Sequence, residues 1–290
     1  MGKKFAIVGA GKVGSALARL LSAAGYDFVG AASRSLRSAR RACKFAGAGR
    51  ATADAATLAG EADLVFITTP DDAIASVCRE VAAEDGFRAG AVVAHCSGAL
   101  PSSVLGPARA GGAHVGSLHP LQTFATAEQA VELLPGSFCC VEGDAEAVAQ
   151  LIAVAEALGA RVLTIPTENK ALYHAAAVTA CNFLVALEDA ALRMAEAAGV
   201  PRDEAMAALL PLIRGTVSNM EKVGIPACLT GPIERGDVES TRLHIEALKE
   251  HLPDLLPLYR ALALETVRVA LGKGALSAKQ ARQLRRVLND

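Results

Sequence analysis

An apolar run, Phe5-Ala6-Ile7-Val8, passes without a break into Gly9-Ala10-Gly11-Lys12-Val13-Gly14, after which Ala16, Leu17, Leu20 and Leu21 recur at helical spacing. Strand, glycine turn and helix in this order constrain the fold more than any other stretch of the chain. The first glycine permits a tight turn. The second lets the backbone approach a pyrophosphate, and the third lets helix and strand pack closely. The unpaired amides that open the helix, at the positive end of its dipole, favour an anion. Gly9, Ala10, Gly11, Lys12, Val13 and Gly14 therefore predict a dinucleotide site.

The first half continues as an alternation. Stretches 5–8, 26–32, 63–68, 91–95, 114–118, 137–141 and 161–165 read as strands, and 12–24, 35–46, 74–84 and 145–158 as helices. After about residue 166 the alternation of strand-like and helix-like stretches stops. Long helical stretches follow at 170–198, 202–223 and 240–271, the last broken at Pro253 and Pro257. A final helix, 277–288, opens on a Ser277/Gln280 capping box. The expected architecture is α/β: a doubly wound, mostly parallel Rossmann sheet over 1–166, then an all-α domain over 167–290.

Composition narrows the partners. A net charge of −1, with 4% aromatics and no Trp, argues against nucleic acid and anionic membrane. Seven scattered cysteines lack metal-ligand spacing, so no metal is expected. They read as reduced thiols in a cytoplasmic protein. The stretch 171–187 carries no formal charge but is slightly short for a membrane span. A buried helix is expected, inside its own domain or across a homodimer interface.

The second strand ends at Ser33-Arg34-Ser35, where an NAD site places a carboxylate about twenty positions past the glycines. Arg34, flanked by hydroxyls, suits a 2′-phosphate and hence NADP(H). Thr69-Pro70 follows the next strand where ribose and pyrophosphate would pass, with Asp71 or Asp72 as a helix cap. Ser97, in His95-Cys96-Ser97-Gly98, stands at another strand's carboxyl end, the side on which ligands bind.

His119 follows the 114–118 strand, with Pro120 fixing the turn. It serves either as a proton donor near the nicotinamide or as a loop anchor. Lys170 and His174 share a helix face, with Asn182 two further turns along. They face a small-molecule substrate or satisfy one another. The loop 230–237 either positions an anionic substrate through Arg235 and Asp237 or caps a helix junction.

Four segments together resemble a poorly characterised two-domain family of NADP oxidoreductases. They are the Gly9–Gly14 loop, Ser117-Leu118-His119-Pro120-Leu121-Gln122-Thr123-Phe124, Tyr173-His174-Ala175-Ala176-Ala177 through Asn182, and Leu229-Thr230-Gly231-Pro232 through Asp237. That family joins a Rossmann-like domain to a helical domain of unknown function. The chain is also similar to the wider 6-phosphogluconate dehydrogenase and ketopantoate reductase-like superfamily. The resemblance implies hydride transfer to or from a carbonyl, imine or hydroxy acid in an interdomain cleft, and pairing through helical domains. His119, Lys170 or His174 would supply the proton and Asn182 would orient an oxygen. Glu239 faintly echoes the superfamily's later acid. Two rival readings are a non-catalytic NADP(H)-responsive regulator and an NADPH:deazaflavin oxidoreductase.

Overall fold

A computed structural model describes residues 2–290. The chain divides into two compact units, Met1–Ala180 and Cys181–Asp290. In the first unit strands and helices alternate. They run β1 (Lys4–Val8), α1 (Lys12–Ala23), β2 (Asp27–Ala32), α2 (Leu36–Ala46), β3 (Arg50–Thr52), α3 (Ala55–Ala59), β4 (Leu64–Ile67) and α4 (Asp71–Ala83). There follow β5 (Val92–His95), α5 (Gly106–Ala110), β6 (His114–Leu121), α6 (Ala127–Leu133), β7 (Phe138–Gly143), α7 (Ala145–Ala157) and β8 (Arg161–Thr164).

The eight strands form one sheet in the order β3-β2-β1-β4-β5-β6-β7-β8. The first six are parallel, in the strand order of a doubly wound dinucleotide-binding sheet. β7 runs antiparallel to β6, and β8 parallel to β7. Period-two alternation splits the core across the sheet. Phe5, Ile7, Leu64 and Phe66 share one cluster with Leu17 and Leu21 of α1. Ala6, Val8, Val65 and Ile67 share the other with Ile74, Cys78 and Val81 of α4. Continuous apolar strands arise because both faces are covered.

Three expectations need correction here. β3 and α3 carry no strong periodic signal, since Arg50-Ala51-Thr52 and Ala55–Ala59 are too short to show a period. β6 does not stop at Leu118 but runs through His119 and Pro120, so Pro120 makes no turn. β5 ends opposite Ser117, and beyond that point β6 has only β7 beside it. A strand bounded on one side tolerates a residue without an N–H. Asp71 and Asp72 are not the cap of α4, whose N-cap is Pro70 with no side-chain bond.

α8 (Lys170–Ala197) begins in the first unit and continues into the second. It is followed by α9 (Arg202–Val223), α10 (Val238–His251), α11 (Leu256–Lys273) and α12 (Ala278–Asn289). The helical core is Ile245, Ala263, Val267, Ala270, Leu284 and Leu288. Ser277 and Gln280 form the expected capping box of α12. The expected burial of 171–187 is not found within the chain. Leu172, Phe183 and Val185 are 74%, 59% and 71% exposed. The helix is long and apolar enough to cross a membrane by length and composition only. Four of the seven thiols are buried, whereas Cys181 is exposed.

Candidate functional site

The crossovers reverse direction between β1 and β4, so a crevice opens beyond their carboxyl ends. Gly9 leaves β1 at φ +110°, and the Thr68 hydroxyl donates to its carbonyl. A Cβ at Gly9 would stand 2.6 Å from the Thr69 amide nitrogen, and one at Gly14 would stand 2.5 Å from the Gly9 carbonyl oxygen. At Gly11 the nearest atom would be 3.8 Å away. Gly9 and Gly14 are thus bare for close packing, and Gly11 keeps the cleft open. Gly11 is also the N-cap of α1, with no side-chain cap and no acid in the first turn. The helix leaves its first amides and positive dipole end uncompensated.

The cleft encloses about 740 Å³. Of the residues picked out by sequence, Gly9, Ala10, Gly11, Ser33, Arg34, Thr69 and Pro70 line it. Ser38, Asp54 and Glu80 also line it and carry no sequence signal beyond ordinary helix chemistry. Thr69 Oγ1 is buried with no hydrogen-bond partner among the described residues. A hydroxyl in that state has a donor and lone pairs to offer a ligand. Uncapped amides, a bare Gly11, an unpartnered hydroxyl and a guanidinium make a donor set that suits a dinucleotide.

Five predicted residues do not line this cleft. The Lys12 ammonium lies 3.5 Å from the Phe124 carbonyl. Val13 and Gly14 sit in the first turn of α1. Ser35 caps α2, accepting from the Ser38 amide. Ser97 is turned inward as well: its hydroxyl donates to Asp71 at 2.7 Å and accepts from the Ala99 and Leu100 amides.

A second polar cluster lies at the ends of β5 and β6 and the start of α8. Lys170 is 1% exposed. Its ammonium donates to Ser117 Oγ and lies 4.0 Å from the Glu142 carboxylate. Ser117 and Glu142 are direct partners across the antiparallel β6/β7 ladder, which places both side chains on one face. Glu142 also accepts from the Ser102 amide (2.9 Å), the Ser102 hydroxyl (2.7 Å) and the Thr167 hydroxyl (2.8 Å). A buried charge needs such a shell. Burial lowers the Lys170 pKa, with Glu142 opposing the shift.

His119, two residues past Ser117 on β6, shares this face of the sheet. Its Nδ1 lies 2.9 Å from the Tyr173 hydroxyl, and its ring meets that of His174 edge-on at 6.1 Å. A Cβ at Gly98 would stand 2.5 Å from His174 Cδ2 and 2.8 Å from His119 Nε2, so both imidazoles rest on bare backbone. Burial, then the Lys170 and His174 charges, push the His119 pKa down to about 4. Burial pushes the Tyr173 hydroxyl up. Buried His95, its Nδ1 accepting from the Ser97 amide, is also pushed to about 4 by burial.

The fold thus gathers Lys170, His174 and His119. Asn182 lies eight positions past His174 on α8 and is exposed, in the second unit. Tyr173, Ser117, Glu142 and Gly98 escaped sequence reasoning as site residues. The one available signal was Glu142, a lone acid in the buried run Phe138-Cys139-Cys140-Val141. In the second unit, Asp237 caps α10 through the Ser240 amide at 2.9 Å, the capping alternative for its loop. Lys273 pins the same loop through the Leu229 carbonyl and Glu234, each at 2.8 Å.

Residues 2–120 match the model of a Rossmann-like domain, and residues 137–266 that of a domain of unknown function, DUF2520. The chain is similar to the solved structure of the putative NADP oxidoreductase BF3122 from Bacteroides fragilis. The two are 27% identical with a TM-score of 0.72, over 92% of this chain and 98% of that one. Protein TM1727 from Thermotoga maritima is 26% identical with a TM-score of 0.72, over 93% and 99%. A reductive aminase from Aspergillus terreus, solved with NADPH and ethyl levulinate, shares the fold at 17% identity and a TM-score of 0.64, over 99% of each chain. No curated protein sequence matches the chain.

Proposed function

We propose that this chain, which belongs to the two-domain family joining a Rossmann-like domain to DUF2520, is an NADP(H)-dependent oxidoreductase acting on a small carbonyl, imine or hydroxy acid. The observation that carries the reading is the cradle at the β1/β4 switch point: an uncapped α1, an open Gly11 and the unpartnered Thr69 hydroxyl. The name carried by the similar Bacteroides fragilis protein supports it.

In this reading the amides after Gly9 hold the pyrophosphate. Arg34, with the Ser33 and Ser38 hydroxyls on the same wall, takes the 2′-phosphate. The coenzyme supplies a hydride when bound. The chain's own task is to hold the acceptor and manage one proton, because hydride addition to a C=O or C=N carbon leaves an electron pair on oxygen or nitrogen. His119 and His174 face that task, and Lys170, bonded to Ser117 on the same strand as His119, supplies a fixed positive charge to the cluster.

Calorimetric titration tests the reading. NADPH is expected to bind at least about tenfold more tightly than NADH, one guanidinium–phosphate pair being worth upward of about 1.4 kcal/mol. Arg34→Ala should erase that preference without weakening NADH. Uptake of neither coenzyme by folded protein would overturn the proposal.

A further inference from the structure

The Tyr173–His119 contact carries an inference about which hydrogen the site presents. Across the β6/β7 ladder, His119 pairs directly with Cys140, so both side chains rise from one face of the sheet. Tyr173, in the first turn of α8, reaches this pair: its hydroxyl is 2.9 Å from His119 Nδ1, and the Cys140 thiol is its neighbour. All three groups stay neutral near pH 7. Burial keeps the proton on Tyr173 and on Cys140 and keeps His119 from gaining a second one.

The contact between the two neutral groups, imidazole and phenol, can be made in two ways. In one, the imidazole donates from Nδ1 to the phenol, and the phenolic hydrogen is left to the neighbouring sulfur. In the other, the phenol donates to Nδ1. The first order spends the phenolic O–H, the best donor of the three, on sulfur, the weakest acceptor. The second matches that donor to the imidazole nitrogen, the best acceptor. The second order is therefore favoured, and it forces the remaining imidazole hydrogen onto Nε2. That nitrogen makes no hydrogen bond among the described residues and lies beside Gly98, where a Cβ would stand 2.8 Å from it.

We propose that Tyr173 sets the tautomer of His119, donating to Nδ1 so that Nε2 carries the hydrogen and offers it to a lone pair on the substrate. Tyr173 is then a positioning residue and His119 the group that touches substrate. The second half of this statement rests on the oxidoreductase reading above, and the first does not. The substrate class is one whose reacting carbon bears a hydrogen-bond acceptor, a carbonyl oxygen or an imine nitrogen. A neutral imidazole N–H polarises such an atom without a prior protonation step.

Long-range proton–nitrogen correlation spectra of uniformly nitrogen-15-labelled protein, without coenzyme, read the tautomer directly. His119→Gln assigns the signal by its loss. Wild-type His119 is expected in the Nε2–H form at pH 7, and Tyr173→Phe is expected to move it toward the Nδ1–H form. A wild-type Nδ1–H tautomer, or a tautomer indifferent to Tyr173→Phe, would overturn the proposal. The wild-type spectrum decides even if the variant fails to fold. Coenzyme titration is a separate measurement, so failure of the nucleotide reading leaves this result standing. On a substrate that is turned over, Tyr173→Phe should lower kcat about tenfold and leave KM nearly unchanged.

Discussion

The glycine cradle and the histidine cluster lie in one compact unit and are built on opposite plans. The cradle is main chain. Its pyrophosphate-facing donors are amides, its shape comes from missing side chains at Gly9, Gly11 and Gly14, and these parts are adjacent in sequence, with only Arg34 and Thr69 added from farther along the chain. The cluster is side chain. Its parts come from four separated segments: Gly98, Ser117 with His119, Cys140 with Glu142, and Lys170 with Tyr173 and His174. A site of amides fails by obstruction. A site of buried charges and hydrogen bonds fails by losing a partner.

The largest effect should come from unpairing the cluster. Lys170→Met leaves the Glu142 carboxylate buried without its cation, and unfolding in urea should show a loss of about 3–5 kcal/mol. Adding Glu142→Gln should recover part of it, because the two residues are coupled. If Lys170→Met were as stable as wild type, the cluster would not be the fragile partner in the comparison.

Acid should act next. His95 and His119 are held neutral in the native state, with pKa values of about 4, while the unfolded chain protonates them near 6.5. Between these values the unfolded chain binds more protons, so stability falls as pH falls from 6.5 toward 4. The contribution is of the order of 3 kcal/mol per histidine. His119→Gln should flatten the pH dependence of the urea midpoint. An unchanged slope would remove His119 from the account.

The cradle should respond selectively. Gly11→Ala puts a methyl group into open cleft, so its unfolding midpoint should match wild type while NADPH affinity falls more than about tenfold. Gly9→Ala meets backbone 2.6 Å away at φ +110° and should lose stability first. Equal damage to stability in both variants would erase the distinction between the two glycines.

The same contrast explains what was legible beforehand. The cradle could be read because its chemistry is a local spacing, and most strands of the sheet because a short apolar run is local too. The cluster could be read only in pieces. Nothing near Tyr173 announces His119, 54 positions earlier, as its partner. Nothing near Ser117 announces Glu142, until β7 turns antiparallel and sets them face to face. The strand through Pro120 was hidden because the proline reads as a turn when its one-sided neighbourhood is unknown. The length of α8 was plain. Its exposure was not, since hydropathy records which side chains avoid water and not what covers them.

Lys170 is the only buried lysine among the described residues. That gives the chain a built-in chemical clock. An acetylating reagent applied under native conditions would mark the surface amines promptly and spare this one. The delay before Lys170 acquires its label would then report how often the joint between sheet and long helix breathes open.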